Sequence, residues 1–232
     1  MKIIVDSRKN IDKMVADAVA AFVAEKQDAK LAFAAGRTTE GIYDELVKTE
    51  VSFKDTEVFN ICDYVGLATD DERSCENKLD KKLYSVLGIE NIHSPAGETD
   101  EEAEKYDEDI SAAGGIDLML LGIGLNGHIG FNEPATLYDT RTHIARITDN
   151  TKRMKAVDFG GEENVPEFGI TMGLKTICSA KNVFLVAYGE EKADIIHKLV
   201  YGKTSTYVPA AMLQMHMNFT LYLDEAAASK LN

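Results

Sequence analysis

Residues 116–123 are apolar at every position except Asp117 and Gly122, and the chain then runs directly into Gly124, Gly127 and His128. An apolar run that does not alternate suits a strand covered on both faces, as in a parallel sheet with helices above and below. Such a strand cannot be built alone, because it needs partners along both edges and a helical layer on each side. The glycines let the backbone turn and admit close approach. His128 falls just past the strand's carboxyl end, where open α/β sheets place their ligands.

The rest of the chain supplies those partners. Ile11, Met14, Val15, Ala18, Val19, Phe22 and Val23 recur at helical spacing behind Ser7 and Asn10, predicting a first helix. Strands are expected at 31–35, 57–62, 142–147, 182–189 and 218–223. Helices are expected around Ile42, Tyr43, Leu46 and Val47, from Ser74 to Gly88, and from a capping box of Thr99 and Glu102 to Gly114. The acids of that last helix, Asp100, Glu101, Glu104, Asp107, Glu108 and Asp109, read as a solvated face. Residues 149–166 have the composition of a mobile loop or lid. A helix is expected over 169–180, another directly after residue 189, a short one over 209–215, and an amphipathic tail at the end. Met212, Met215 and Met217 read as packing. Strand then helix repeats at least five times, which defines an α/β class: a three-layer, mostly parallel, doubly wound (Rossmann-like) sheet with helices on both faces, in a single domain over 1–232.

With a net charge of −14 the chain has no basic face for nucleic acid or an anionic membrane surface, so an anionic substrate would need a locally positive pocket. Cys62, Cys75 and Cys178 are odd in number and unspaced for metal, which fits a reduced, cytoplasmic setting. The first ten residues lack the apolar core of a signal peptide, and no run is long enough to span a bilayer.

A GxGxxG match over 122–127 is rejected as a dinucleotide turn. Pro134 would interrupt the helix it requires, and the next strand, 143–147, carries no acid. Asn126 and Glu133 are both placed to hold one ring nitrogen of His128, fixing its tautomer as a proton shuttle requires. One histidine and one carboxylate fall short of a zinc ligand set, so no metal is expected. Gly36, Arg37 and Thr38 follow a strand and precede a helix, either as an anion cradle or as an ordinary turn with Thr39 as N-cap. Lys192 opposes the dipole at a helix start; it is either a phosphate ligand or an exposed lysine offset by Glu190 and Glu191. One sheet edge would collect Arg37, Thr38, Asp63, His128, Glu133 and Lys192.

The segments GIGLNGHIGFNEPA, FNICDYVGL, GITMGLKTI and VAYGEEKA stand in an order and spacing that resemble the glucosamine-6-phosphate deaminase/isomerase family, including its galactosamine-6-phosphate branch. The related 6-phosphogluconolactonases lack the FNEP ending. The resemblance implies that a histidine opens the sugar ring and a carboxylate base moves a proton from C2 to C1, with no cofactor. It assigns His128 to ring opening, Glu133 to its support, and Lys192 with residues 36–38 to the substrate phosphate. Where the family has an Asp-Glu pair, this chain has Cys62 and Asp63, so the base is either Asp63, shifted by one residue, or a Cys62 thiolate. A thiolate needs a positive neighbour, and protonated His128 is the nearest candidate. Asn126 replaces an acid, as in the galactosamine branch.

The expected activity is conversion of galactosamine 6-phosphate or glucosamine 6-phosphate to a ketohexose 6-phosphate and ammonia. The alternatives are a catalytically impaired sugar-phosphate sensor and an isomerase of a different sugar phosphate. The partner is a small sugar phosphate, and a homo-oligomer is allowed without being required.

Overall fold

The computed structural model describes residues 1–68 and 70–231. Among them are ten strands and eight α-helices. In chain order these are β1 (Lys2–Asp6), α1 (Arg8–Glu25), β2 (Lys30–Phe33), α2 (Glu40–Leu46), β3 (Glu57–Asn60), β4 (Cys62–Tyr64), α3 (Cys75–Leu79), α4 (Ser85–Leu87), β5 (Asn91–His93), α5 (Asp100–Ala112) and β6 (Leu118–Gly122). They continue with β7 (His143–Arg146), α6 (Asp149–Phe159), β8 (Phe168–Thr171), α7 (Leu174–Cys178), β9 (Val183–Ala187), α8 (Ala193–Tyr201) and β10 (Phe219–Asp224). Seven strands form a sheet in the order β1-β10-β9-β6-β2-β3-β5, parallel at every pairing. The long apolar run is its central strand, β6.

Side chains on each strand divide between the two faces, as a period of two requires. Leu118 and Leu120 join Leu31, Phe33 and α1 in one core, whereas Met119 and Leu121 join Ala32 and the residues of α5, α7 and α8 in the other. Chain connections leave β2 toward β3 and β6 toward β9, so the winding reverses between β2 and β6. A crevice opens at the carboxyl ends of strands where that happens.

The stretch expected as one strand over 57–62 is in fact two. Ile61 bends the chain out of the main sheet, and β4 pairs antiparallel with β8, which pairs with β7, making a separate three-stranded sheet. This small sheet and α6 enclose a third apolar cluster containing Tyr64, Phe131 and Phe159, and together they roof the crevice.

Several expectations are corrected. Residues 149–159 are helix rather than loop, because Thr148 caps the first turn and Gly160, at a φ of 69°, ends it. Residues 168–171 are strand rather than helix: Gly173 separates β8 from α7, and a Cβ there would lie 2.1 Å from the Thr140 carbonyl oxygen. The helix from Ser74 passes through a π-turn over Asp80–Tyr84. Asp107 does not belong to a solvated face. It is buried, accepts the Thr142 N–H at 2.7 Å and the Thr176 hydroxyl, and pins α5 to the segment before β7. Met212 packs, but Met215 and Met217 are exposed. β1 and β5, edge strands of mixed sequence, were not expected, and the tail forms turns.

Candidate active site

Local chemistry forces the loop after β6 into shape. The Gly124 N–H donates to the His128 carbonyl at 2.9 Å, closing a tight turn, and a Cβ on Gly124 would lie 2.2 Å from His128 Cε1. The imidazole therefore lies against bare backbone. Farther along, Phe131 N–H donates to Thr171 Oγ1 at 3.1 Å, and the buried Asn132 amide donates to the carbonyls of Ile129 and Met172. The loop is thus tied to β8 and the roof.

Behind His128 runs a chain of polar groups whose direction is fixed by what each can donate. Glu133 Oε2 can only accept, and it lies 2.6 Å from Asn126 Nδ2. The amide oxygen of Asn126 must then face the histidine, where it accepts the backbone N–H of His128 at 3.2 Å and lies 2.8 Å from Nδ1. Nδ1 therefore carries the proton, and Nε2 keeps its lone pair. Sequence left Asn126 and Glu133 as alternatives; they act in series, with Glu133 Oε1 3.7 Å from Nδ1. Two groups that the sequence reading missed complete the set: Thr151 and Thr148 donate to Glu133 Oε1 at 2.5 and 3.1 Å.

Burial pushes the His128 pKa down to about 4, an effect Glu133 opposes and the ammonium groups of Lys192 and Lys155 reinforce. The ring is neutral near pH 7, so it cannot be the cation that a Cys62 thiolate would need. Lys155, on α6, lines the same cavity as Cys62. It is a third group the sequence reading missed, because 149–166 was read as loop.

The cavity has a volume of about 170 Å³ and is lined by residues 34–39, Cys62, Tyr64, Cys75, Gly122 to Gly124, His128, Thr151, Met154, Lys155 and Lys192, among others. Arg37, Lys155 and Lys192 line it and, among the described residues, no carboxylate does, although the chain carries a net charge of −14. A larger cavity of about 490 Å³, between α5 and α7, has no histidine or thiol in its lining, so volume alone does not locate the chemistry.

Lys192 is not the exposed lysine that was one of its two readings. It is 8% exposed, its Nζ donates to the Ile123 carbonyl at 2.7 Å, and burial pulls its pKa down. Thr39 stands at the N-cap position of α2 without capping, since its hydroxyl donates to the carbonyls of Ala34 and Gly36 and leaves the turn's amides unused by it. Arg37 donates to the Met154 carbonyl at 3.0 Å and so joins this turn to α6.

Cys62 and Asp63 face opposite ways, as neighbours on a strand do. Cys62 lines the cavity. The Asp63 carboxylate is turned to the start of α3, accepting the N–H groups of Tyr64, Cys75 and Glu76 at 2.7, 2.9 and 3.0 Å. The Cys75 thiol, paired with Cys62 and buried, has its pKa held well above the ordinary range and stays protonated.

Fold and site define an α/β enzyme with a buried, neutral histidine in a cationic crevice at the sheet's switch point. The chain belongs to the family described as glucosamine-6-phosphate isomerases/6-phosphogluconolactonase, which matches residues 6–222. A glucosamine-6-phosphate deaminase of Clostridioides difficile (strain 630) is 39% identical over 231 residues, covering 96% of this chain and 93% of that protein. The solved structure of a monomeric glucosamine-6-phosphate deaminase superposes with a TM-score of 0.96 at 33% identity, covering 99% of this chain and 100% of the other. The 6-phosphogluconolactonase of Trypanosoma brucei shares the fold at a TM-score of 0.79 and 16% identity, covering 100% of this chain and 98% of the other. Among the described residues no helix is long and apolar enough to cross a membrane, and no group of three or more metal-ligating side chains is present.

Proposed function

We propose that this chain is a glucosamine-6-phosphate deaminase, converting glucosamine 6-phosphate and water to fructose 6-phosphate and ammonia. The observation that carries the reading is a crevice lined by three cations, by no carboxylate among the described residues, and by a histidine whose Nδ1 is held by Asn126 so that Nε2 keeps its lone pair. Relatives that match over nearly the whole chain bear that name.

In this reading the phosphate lies against Gly36, Arg37, Thr38 and Lys192. His128 Nε2 takes the proton of the anomeric hydroxyl and returns it to the ring oxygen, opening the sugar. A base then removes the C2 proton while the carbonyl oxygen is protonated, giving an enolamine. Protonation at C1 gives a ketimine, and water releases ammonia from it. Cys62 is favoured over Asp63 as that base, because its thiol lines the crevice while the Asp63 carboxylate is occupied by three backbone N–H groups. Glu133 and Asn126 act through His128.

Galactosamine 6-phosphate is the second candidate substrate, favoured by Asn126, which the galactosamine branch resembles in the NGH sequence. Parallel assays of ammonia and ketose 6-phosphate from the two sugars test the proposal. Equal amounts of both products from glucosamine 6-phosphate are expected. Release of neither product from either sugar would overturn it.

A further inference from the structure

The role of α6 is not exhausted by its roofing of the crevice. Its cap residue, Thr148, and its first-turn residue, Thr151, both direct their hydroxyls at one oxygen of Glu133, and Thr151 is 1% exposed. Thr148 Oγ1 also accepts the Thr151 N–H at 3.4 Å, so a single hydroxyl caps the helix with its lone pair and holds Glu133 with its proton.

We propose that Thr151 and Thr148 are positioning residues for His128, fixing Glu133 so that Asn126 has one orientation and the histidine one tautomer. The inference rests on the acid-base role given to His128 above. The steps are short and directional. With Oε1 engaged by the two threonines, Oε2 is left to face Asn126 Nδ2 at 2.6 Å, and the amide oxygen is left to face Nδ1. Oε1 itself is only 3.7 Å from Nδ1. Released from the threonines, that oxygen can reach the ring directly, displace the amide and bring a carboxylate charge onto the imidazole. An uncharged amide partner keeps the ring neutral and leaves Nε2 as the lone-pair nitrogen; a direct carboxylate partner would make it readily protonated and spoil it as a base near neutral pH.

The groups that bear on the ring's charge are Glu133 on its own loop, Lys192 on the turn before α8 and Lys155 on α6. The same cavity also holds Arg37, Cys62, Cys75 and Tyr64. Of these, only Glu133 is held by α6 through hydroxyl groups.

The test is nitrogen-proton correlation NMR of the His128 ring in the full chain, across a pH titration and without substrate, comparing wild type with Thr151→Val and Thr151→Ser. Wild type and Thr151→Ser are expected to show the Nδ1–H tautomer. Thr151→Val is expected to titrate at higher pH, and its kcat with glucosamine 6-phosphate to fall by about tenfold to a hundredfold at little change in KM. Valine is isosteric with threonine; if that variant does not fold, Thr151→Ala reads the same signal. A wild-type tautomer and titration in the folded variant would overturn the proposal. If the ring responds as expected but no form of the protein releases ammonia, the reaction assigned above fails and the positioning role stands.

Discussion

The buried ammonium of Lys192 lies 2.7 Å from the carbonyl oxygen of Ile123, tying the turn before α8 to the end of the central strand. Burial of a cation opposes its charge, an effect that Glu191 offsets only in part, and the depressed pKa of Lys192 records that cost. A bound phosphate dianion would remove it. Millimolar inorganic phosphate is therefore expected to raise the melting temperature. Lys192→Met is expected to lose that response while its own stability stays within about 1–2 kcal/mol of wild type, since a desolvation cost and a hydrogen bond vanish together. Thermal scans with and without phosphate check both expectations.

His128 links stability to pH. Its folded-state pKa, about 4, lies below the ordinary value of 6.5. Between those values the unfolded chain binds the proton more readily, so stability present above pH 6.5 is lost as the pH falls toward 4. The contribution is up to about 3 kcal/mol. In His128→Gln this part of the slope is expected to disappear, which urea denaturation at several pH values measures.

The opposite facing of Cys62 and Asp63 separates their variants. Cys62→Ala is expected to lower kcat by about a hundredfold or more without loss of fold. Asp63→Asn is expected to lose about 1–3 kcal/mol of stability, through weaker acceptance of the α3 amides, while the folded fraction keeps its activity. Turnover and denaturation of both variants decide the matter. Full activity in Cys62→Ala would remove the thiol from the proton transfer.

Gly124 leaves no room for a side chain beside the imidazole. Gly124→Ala is expected to displace the ring and lower kcat by at least about tenfold, because a misplacement of about 1 Å costs up to a hundredfold. Circular dichroism should stay unchanged, because no strand or core residue moves.

The central strand, the parallel architecture and the place of His128 were legible because each rests on a local pattern: an unbroken apolar run, repeated strand-helix alternation, and glycines at a strand's end. Of the small roof sheet only β7, expected over 142–147, was legible. Its strands, such as β8 with Ile170 and Thr171 between glycines, are three or four residues long, and Ile170, Met172, Leu174 and Ile177 fit helical spacing nearly as well. α6 passed as a loop because 149–166 has the glycine and charge content of one, and with it went Thr148, Thr151 and Lys155, whose contacts are with residues distant in sequence. Asp63 was counted at the site edge because sequence cannot tell which way a strand residue faces until the pairing register is known.

The bend at Ile61 also bears on how such a site can change. It takes Cys62 off the main sheet and seats it in a roof with its own small apolar core, while His128 stays on the loop that follows β6. Cys62 and His128 thus stand on different parts of the fold, joined where Phe131 of the loop packs into the roof cluster and its N–H donates to Thr171 of β8. A substitution at Cys62 falls on β4, in the roof, and not on the loop that carries His128. In the proposed reaction the base on β4 can therefore be exchanged, or redesigned, without rebuilding the loop that carries His128.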